Sequence, residues 1–361
     1  MNERFLHNLD LNQKQLLKGI PTMIPFKYPT LKRMVPGIIP GDQIIITAST
    51  GIGKSRFTRS MLIKDVIDYA NKTGIKVKIF YNALEEDEIK VSSTLIAKTV
   101  FEDFGVRLDY YTTNGYKENP LTESQLRMIR IASDKVDSIY GPYMEVMHEP
   151  YPNIVYKRVR EYLHTVGKFY LRQPDGSKTQ IKEIGDMWDS YEYDEPTIVV
   201  VIHDTVDKFQ PFKDTSLYET IKRFSAYYSR QLLGMKCKVI SCFVSQQDPD
   251  LDRVQQNFKG ETILGKLKPG LDTIRSCRAI QEDATLIFGL FDPLKYNEFN
   301  YNGYPNLRKL KYDYRALIAL KTREGVLDHT FNEISLGVDF LTENFFELPK
   351  GDSSDIKNYL K

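Results

Sequence analysis

The sequence predicts an α/β protein in which helices flank a mostly parallel central sheet. Short apolar runs rich in β-branched residues alternate with amphipathic helical patterns along most of the chain, as in doubly wound sheets. The longest such run, residues 197–202, is uninterrupted, which is typical of a strand buried on both faces. A C-terminal β-hairpin is expected over Val326 to Phe340.

Composition and charge limit the possible functions. The 361 residues are 41% hydrophobic and 12% aromatic, enough for a sizeable core. Fifty basic and 48 acidic residues leave a net charge of +2, so any affinity for nucleic acid must come from a local patch. Cys237, Cys242 and Cys277 lack metal-ligand spacing and suit a reducing compartment. Because no run suits a membrane span or a signal peptide, we expect a soluble cytoplasmic protein.

A glycine-rich motif follows the first predicted strand, 43–48, and precedes a predicted helix, 54–71. Its residues are Ala48, Ser49, Thr50, Gly51, Ile52, Gly53, Lys54 and Ser55. In this strand–loop–helix context the glycines let successive backbone N–H groups point at phosphate oxygens, and the helix N-terminus adds a positive dipole end. Lys54 would reach the β- and γ-phosphates of ATP, and the Ser55 hydroxyl would ligate Mg²⁺. The alternative is an ordinary glycine-rich turn.

An N-terminal arm precedes the loop, and helices and strands alternate after the loop up to residue 166. The arm, residues 1–18, is interpreted as one or two short helical turns that either fray or dock on a neighbouring subunit. A capping box at Thr122 and Gln125 opens one of the helices. The remaining predicted elements are strand 76–81, helix 87–104, a helix to Tyr140, strand 143–147 and helix 153–166.

Residues 168–196 interrupt this alternation and are interpreted as a surface insertion. Two strand-like runs, 169–172 and 178–181, flank Pro174-Asp175-Gly176, a hairpin signal. Trp188 either anchors the insertion, the favoured interpretation, or offers a stacking platform for a base.

The second half of the chain resumes the alternation after the insertion. The polar tail, 346–361, is expected to be mobile. The predicted elements are strand 197–204, helix 215–234, strand 238–244, a long loop 248–270, a short helix 271–280 and strands 285–291 and 316–321.

The predicted strands end next to polar residues that could carry chemistry. Ligands of doubly wound sheets bind at the carboxyl ends of the strands. Asp204 is the expected second-shell or water-bridged partner of Mg²⁺, unless it is merely an acidic cap, and His203 is interpreted as structural. Glu85 or its neighbour Glu86 could polarise an attacking water. Gln246, at the end of another strand, could sense the γ-phosphate, although each of these could be a solvated loop residue.

Further motifs resemble, in their order, the ATPase domain of DnaB-type replicative helicases, a RecA-like P-loop NTPase fold of helicase superfamily 4. The resemblance covers roughly residues 19–345 and favours Glu85 over Glu86. The motifs that carry it, besides the glycine-rich loop, are Gly19-Ile20-Pro21-Thr22 with Gly37-Ile38-Ile39-Pro40-Gly41-Asp42, Asn82-Ala83-Leu84-Glu85, Ser245-Gln246, residues 268–275 with 279–284, and Lys321-Thr322-Arg323-Glu324-Gly325.

The resemblance implies a hexameric ring with ATP at each subunit interface. Arg323 would act as an arginine finger in the neighbour's site, with Lys321 as a second cation on the γ-phosphate. A solvated Lys–Arg pair on a hairpin is the alternative. The family's DNA-contacting loops correspond to residues 253–278, which carry a local positive charge, although a solvated charged loop is possible. The tentative DNA contacts are Lys266, Lys268, Arg275 and Arg278, with Ser276 and Arg278 departing from the family pattern.

The predicted function is therefore an ATP-driven helicase that translocates on single-stranded DNA, with 5′ to 3′ polarity implied by the resemblance. The alternatives are a RecA-like strand-exchange or recombination-mediator ATPase, or a ring ATPase that does not unwind DNA. Primase or other replication proteins are possible partners. Because only about 18 residues precede the matching region, we expect the family's N-terminal primase-contacting domain to be absent, as in a phage or mobile-element version. A phage-encoded protein would act in the host cytoplasm.

Overall fold

The computed structural model describes residues 2–18, 22–116, 119–183, 187–249, 264–274, 278–323, 325 and 332–361. Several predictions concern residues outside these ranges. They include Gly19-Ile20-Pro21, the greater part of the long loop, Arg275, Ser276, Cys277, Glu324 and the first part of the hairpin expected from Val326.

The described strands form one large sheet and two small ones. A short antiparallel pair, β1 (Ile24–Pro25) and β2 (Gly37–Ile38), precedes the main sheet. The strands of the main sheet are β3 (Gln43–Ala48), β4 (Lys76–Ala83), β5 (Met144–Met147), β9 (Thr197–Asp204), β10 (Ile240–Gln246), β11 (Leu286–Phe291), β12 (Asp313–Thr322), β13 (Glu333–Asp339) and β14 (Asn344–Glu347). Their spatial order is β14-β13-β12-β11-β3-β10-β9-β4-β5.

The part of this sheet from β11 to β5 is parallel, and β12, β13 and β14 add to it antiparallel. The predicted fold class, a mostly parallel α/β sheet with antiparallel C-terminal strands, is thus confirmed. Register brings the carboxyl ends of the central strands to one level, because Asp204 pairs with both Ala83 and Val244, and Ser245 pairs with Thr47. The strand ends predicted to lie together therefore do so, at one edge of the sheet.

Helices cover both faces of the main sheet. A short π-helix, Ser60–Lys64, joins α3 to α4, and a longer π-helix, Phe224–Lys236, continues α9. The α-helices are α1 (Asn2–Leu17), α2 (Pro29–Met34), α3 (Lys54–Arg59), α4 (Asp65–Thr73), α5 (Glu88–Phe104), α6 (Tyr110–Thr113), α7 (Glu123–Tyr140), α8 (Pro152–Val166), α9 (Leu217–Arg223) and α10 (Arg278–Asp283).

Alternate strand residues supply the two cores on either side of the sheet. Ile44 and Ile46 belong to the cluster that α3, α4, α5 and α7 cover. Ile45 points to the other face, where residues of α9 and α10 cover it, and Phe80 joins α8 there. Burial on both faces is why the central strands are continuously apolar in sequence.

The segment predicted as an insertion forms a separate three-stranded antiparallel sheet. Its strands are β6 (Gly167–Arg172), β7 (Lys178–Ile181) and β8 (Ser190–Tyr193), with β6 in the middle. Trp188 is buried, packs edge-on against Phe169 at 4.9 Å, and lies under the Lys236 ammonium at 4.7 Å. The interpretation of Trp188 as an anchor is confirmed, and a base-stacking role is not open to a buried ring.

Three local predictions were wrong. The N-terminal arm is a single helix, α1, with large apolar side chains exposed, rather than one or two turns. The short helix expected at 271–280 is limited to α10, and Ile274 instead bridges to Gln247. The tail, expected to be mobile, is instead packed against the fold: a 3₁₀ helix, Ser354–Tyr359, contacts Phe346, and Leu360 bridges to Leu310. None of the helices in the described ranges is long and apolar enough to cross a membrane.

Candidate nucleotide site

The glycine-rich loop has the backbone that a phosphate cradle requires. Gly51 and Gly53 have φ values of 81° and 109°, in the left-handed region that other residues avoid. Gly53 caps α3, and a Cβ there would lie 2.8 Å from the Phe340 ring. Arg315 of β12 donates from Nε to the Ile52 carbonyl at 2.9 Å. The loop is therefore held from the C-terminal strands as well as by its own glycines.

Lys54 lies inside this loop. Its Nζ donates to the carbonyls of Ala48 at 3.1 Å and Ser49 at 3.4 Å. Burial lowers the pKa of Lys54, while the carboxylates of Glu85 and Asp204 act in the opposite direction. The ammonium is thus held between the loop and the acidic strand ends, where it can meet a bound anion.

Ser55 and Asp204 place a hydroxyl and a carboxylate next to each other beside the loop. The Ser55 hydroxyl donates to Asp204 Oδ1 at 3.1 Å, and the Tyr81 hydroxyl donates to Oδ2 at 2.8 Å. Asp204 is only 2% exposed, and burial raises its pKa. A hydroxyl and a carboxylate at the mouth of a phosphate loop suit Mg²⁺, which prefers hard oxygen ligands and tolerates few protein groups. The donor set therefore fits the predicted metal.

The structure separates the two glutamates that sequence spacing could not. Glu85 is exposed and accepts a hydrogen bond from Gln246 Nε2 at 3.1 Å. Glu86 forms ion pairs with Arg59 at 2.5 Å and Lys90 at 3.3 Å. Burial alone would raise the pKa of Glu86, but these two cations hold it below its usual value. Glu85 is the carboxylate that faces the crevice, whereas Glu86 serves the fold.

Comparison with known proteins shows which solved structures share the fold of this chain. No protein-family model and no curated protein matches the sequence. Among solved structures, the ATPase domain of G40P superposes with a TM-score of 0.65 at 14% identity, over 95% of this chain and 99% of that one. The chain has a RecA-like ATPase-domain fold. A DnaB-like replicative helicase, described with its interactions with primase, matches with a TM-score of 0.57 at 16% identity, over 90% of this chain. This chain spans 63% of that helicase's length.

Within this RecA-like fold, Lys321 and Arg323 lie at the edge of the sheet opposite the phosphate loop. Leu286 pairs with both Ile44 and Thr322, so β12 ends level with the start of β3. Arg315, at the other end of β12, is the residue that contacts the loop. Lys321 follows Arg315 by six residue steps along the strand, which corresponds to about 20 Å.

The two cations of this edge contact backbone carbonyls of their own chain. The Lys321 ammonium donates to the Gln281 and Glu282 carbonyls, and the Arg323 guanidinium donates to the Glu282 carbonyl. Burial and then the neighbouring Arg323 lower the pKa of Lys321. Neither cation forms an ion pair with a carboxylate in the part of the chain that the structure describes.

The candidate DNA-contacting cations divide into three groups. Lys268 forms an ion pair with Glu333 at 2.6 Å and lies 5.0 Å from the centre of the Tyr301 ring, so its expected contact with DNA is disfavoured. Lys266 is exposed at the end of a 3₁₀ turn, Leu264–Lys266. Arg275 and the side chain of Arg278 lie outside the described residues.

Several site residues gave no functional signal in the sequence. Tyr81 brings a hydroxyl into the apolar pattern of β4, which is a weak signal. Arg59 lies in the polar sequence of α3, so its burial, and with it the need for partners, is visible only in the structure. Phe340 and Glu343 could not, because a turn far along the chain brings them to the loop. His203 is as expected structural, enclosed by Phe209, Phe224 and Phe243, and burial lowers its pKa to about 3.

Proposed function

We propose that this protein is an ATP-driven helicase that forms hexameric rings and translocates on single-stranded DNA, 5′ to 3′, hydrolysing ATP at subunit interfaces. The observation that carries the proposal is the division of the catalytic groups between two edges of one sheet. Lys54, Asp204 and Glu85 line the carboxyl edge, and Lys321 with Arg323 lie at the opposite one. A single subunit cannot bring the two sets together, but a neighbour in a ring can.

Within one subunit, the loop residues 48–55 would bind the phosphates of ATP. Their N–H groups and the Lys54 ammonium would neutralise phosphate oxygens, as in other phosphate loops. Ser55 and Asp204 would hold Mg²⁺, which when bound neutralises charge that develops on the phosphates. Glu85 would orient the attacking water and accept its proton. Gln246, hydrogen-bonded to Glu85, would report the state of the γ-phosphate to β10.

Across the interface, Arg323 would stabilise the transition-state charge in the neighbour's site, with Lys321 as a second cation. Both are bound to carbonyls at the end of α10, contacts that a phosphate could replace. A phosphate is charged and can accept two parallel bonds from a guanidinium, so it would compete with these neutral carbonyls for the cations. In this proposal ATP at the interface also strengthens assembly.

The domain organisation follows from the same proposal. Residues 19–345 would form the ATPase unit, 346–361 its C-terminal extension, and 1–18 an arm that docks on the next subunit. The arm is supported by the exposed apolar side chains of α1, which need a partner surface. These side chains are Phe5, Leu6, Leu9, Leu11, Leu16 and Leu17.

Single-stranded DNA would contact the loop around Lys266, with Arg275 and Arg278 as further candidates. A second function, a ring ATPase that does not unwind DNA, is favoured by one observation: Lys268 is already paired with Glu333, which lowers the charge available to DNA. A recombination ATPase has no observation of this kind in its favour. Primase or another replication protein is a possible partner, since the DnaB-like helicase that shares the fold is described with primase.

Unwinding of forked duplexes with a 5′ or a 3′ single-stranded tail tests the function. We expect ATP-dependent unwinding of the 5′-tailed fork and ATP hydrolysis that single-stranded DNA stimulates, both abolished by Lys54→Ala. Lys64→Ala, on the same helical stretch, is the matched control, because Lys64 pairs with Asp68 on the surface. Hydrolysis without unwinding of either fork would favour the second function, and strand exchange without unwinding would favour a recombinase.

A further inference from the structure

A buried chain of polar contacts joins the C-terminal strands to the Asp204 carboxylate. Its members are Glu343, Arg59, Tyr81 and Asp204, each at most 3% exposed. They come from four elements far apart in sequence: the turn between β13 and β14, α3, β4 and β9. Binding of phosphate by the loop does not require a buried arginine at the end of α3, so the burial of Arg59 calls for another explanation.

The contacts run without interruption from one end to the other. Arg59 donates from Nε to the Glu343 carboxylate at 3.1 and 3.2 Å and from Nη2 at 2.5 Å. Its Nη1 donates to the Tyr81 hydroxyl at 3.0 Å and to Glu86 at 2.5 Å. Tyr81 in turn donates to Asp204 Oδ2 at 2.8 Å.

The direction of the hydrogen bonds fixes the role of Tyr81. Because Arg59 has only donors, the Tyr81 oxygen must accept from it, and its single proton is then available only for Asp204. Oδ2 of Asp204 is thereby occupied, and Oδ1 is left to Ser55. The carboxylate cannot rotate without breaking one of these bonds in a buried environment, where an unmet acceptor is costly.

We propose that Tyr81, held by the Arg59–Glu343 ion pair, is a positioning residue that orients Asp204 toward Ser55 and so sets the affinity for Mg²⁺ with nucleotide. The inference rests on the proposed function, since it concerns the metal that this site would bind. Partners that orient a metal-binding carboxylate typically change metal affinity by 10- to 100-fold when removed. Removing Tyr81 would leave the proposed metal-binding groups, Ser55 and Asp204, in the protein.

The turn that supplies Glu343 is constrained by the same ion pair. Glu343 has a φ of 51°, a left-handed conformation that a glutamate adopts only under constraint, and the Arg59 ion pair provides that constraint. The same turn places Phe340 against Gly53 at the start of α3. Both ends of α3 are therefore held by one turn, with Phe340 at the loop and Glu343 at Arg59.

The test is a titration of Mg²⁺ against binding of a fluorescent N-methylanthraniloyl-ATP to the full chain, compared with binding in EDTA. For Tyr81→Phe we expect the Mg²⁺ concentration at half-saturation to rise about tenfold. Affinity for the nucleotide in EDTA should change less than about twofold, because the loop that binds the phosphates is untouched. An equal loss in Mg²⁺ and in EDTA, or no change in either, would overturn the proposal.

Tyr191→Phe is the matched control. Tyr191 is another buried tyrosine, and its hydroxyl donates a hydrogen bond to the Leu163 carbonyl at 2.9 Å, but it lies in the insertion sheet. It should lower thermal stability as Tyr81→Phe does and leave the Mg²⁺ titration unchanged. A Mg²⁺ shift of similar size in Tyr191→Phe would show that general destabilisation is the cause, and would overturn the assignment.

Glu343→Gln provides a second route if Tyr81→Phe does not fold. It keeps the volume and one acceptor but removes the charge that holds Arg59, so we expect a Mg²⁺ shift in the same direction, about threefold. An unchanged Mg²⁺ titration in a folded Glu343→Gln protein would show that the Arg59–Glu343 ion pair does not act on Asp204 through Tyr81, and would contradict the proposal. Failure of the wild-type protein to bind the nucleotide at all would instead overturn the proposed function.

Discussion

The two edges of the main sheet hold their polar groups in different ways. At the carboxyl edge, side chains from different strands bind one another: Ser55 to Asp204, Tyr81 to Asp204, and Gln246 to Glu85. At the opposite edge, Lys321 and Arg323 donate only to the carbonyls of a helix end, as far as the described residues extend. The polar groups of one edge bind one another within the chain, whereas the cations of the other edge are held by carbonyls that an anion can replace.

Arg323→Ala should have the largest effect on activity of the changes considered. If Arg323 works in a neighbouring site, its loss should reduce DNA-stimulated ATP hydrolysis by about 10³-fold, the usual contribution of an arginine finger, with nucleotide binding retained. Steady-state hydrolysis and nucleotide binding measure the two effects. Arg308→Ala, an exposed arginine on the 3₁₀ turn Leu307–Lys309, is the control and should leave hydrolysis unchanged.

Mixing experiments decide whether Arg323 acts between subunits. In equal mixtures of Arg323→Ala and Lys54→Ala proteins, about a quarter of head-to-tail interfaces would combine an intact Lys54 with an intact Arg323. We expect part of the hydrolysis to return in such mixtures. No recovery in mixtures that demonstrably exchange subunits would contradict a shared site.

Glu85→Gln should separate the two neighbouring glutamates of the carboxyl edge. Loss of the water-orienting carboxylate should slow hydrolysis by about 10²-fold or more while nucleotide still binds. Glu86→Gln should instead lower the free energy of unfolding by about 1–3 kcal/mol, because buried Arg59 loses a charged partner. Single-turnover hydrolysis and chemical denaturation check the pair. The assignment fails if Glu86→Gln is the slower enzyme.

Acid should destabilise the carboxyl edge through His203, which packs on the far side of β9 from Asp204. The pKa of His203 is about 3 in the fold, below the usual value near 6.5, because its buried ring disfavours the charge. The unfolded chain therefore binds the proton first. The stabilisation from keeping His203 neutral is complete above pH 6.5 and is lost as the pH falls from there toward 3, by about 2–3 kcal/mol at pH 4.5.

Urea denaturation at pH 7 and pH 4.5 measures that loss. In His203→Leu the difference in unfolding free energy between the two pH values should shrink by about 2–3 kcal/mol relative to wild type. His7→Ala, at an exposed position of α1, should retain the wild-type difference. An identical acid loss in His203→Leu would assign the pH dependence to other groups.

The smallest effect is expected from the loop cations. Lys266→Ala should weaken binding to single-stranded DNA about two- to threefold and reduce the slope of log affinity against log salt by about 0.7, the value for one phosphate on a single strand. Lys268→Ala should change this slope little and lower stability instead, since Lys268 is paired with Glu333. Fluorescence anisotropy over a range of salt concentrations distinguishes the two. A larger effect of Lys268→Ala on the slope would return Lys268 to the DNA-binding surface.

The sequence predicted those features that depend on local pattern. Continuous β-branched runs placed β9 and β10 correctly to within two residues, and glycine spacing located the loop before α3. The carboxyl edge followed from the rule that parallel strands end together. What failed depends on contacts between distant segments. Lys268 meets Glu333 65 residues away, and Arg59 meets Glu343 284 residues away, separations at which no periodicity carries information.

The opposite placement of the loop and Arg323 also constrains how copies of this chain can associate. A contact that joins the carboxyl edge of one copy to the other edge of the next is head-to-tail, so each row of copies keeps one unmatched edge at either end. Such an assembly stops growing only when the rotation from one copy to the next closes a ring; otherwise it grows as an open helix. The number of copies is therefore set by the interface angle rather than by the chemistry of either edge. If nucleotide alters that angle, head-to-tail copies of this chain would form a closed ring in one state and a spiral in the other.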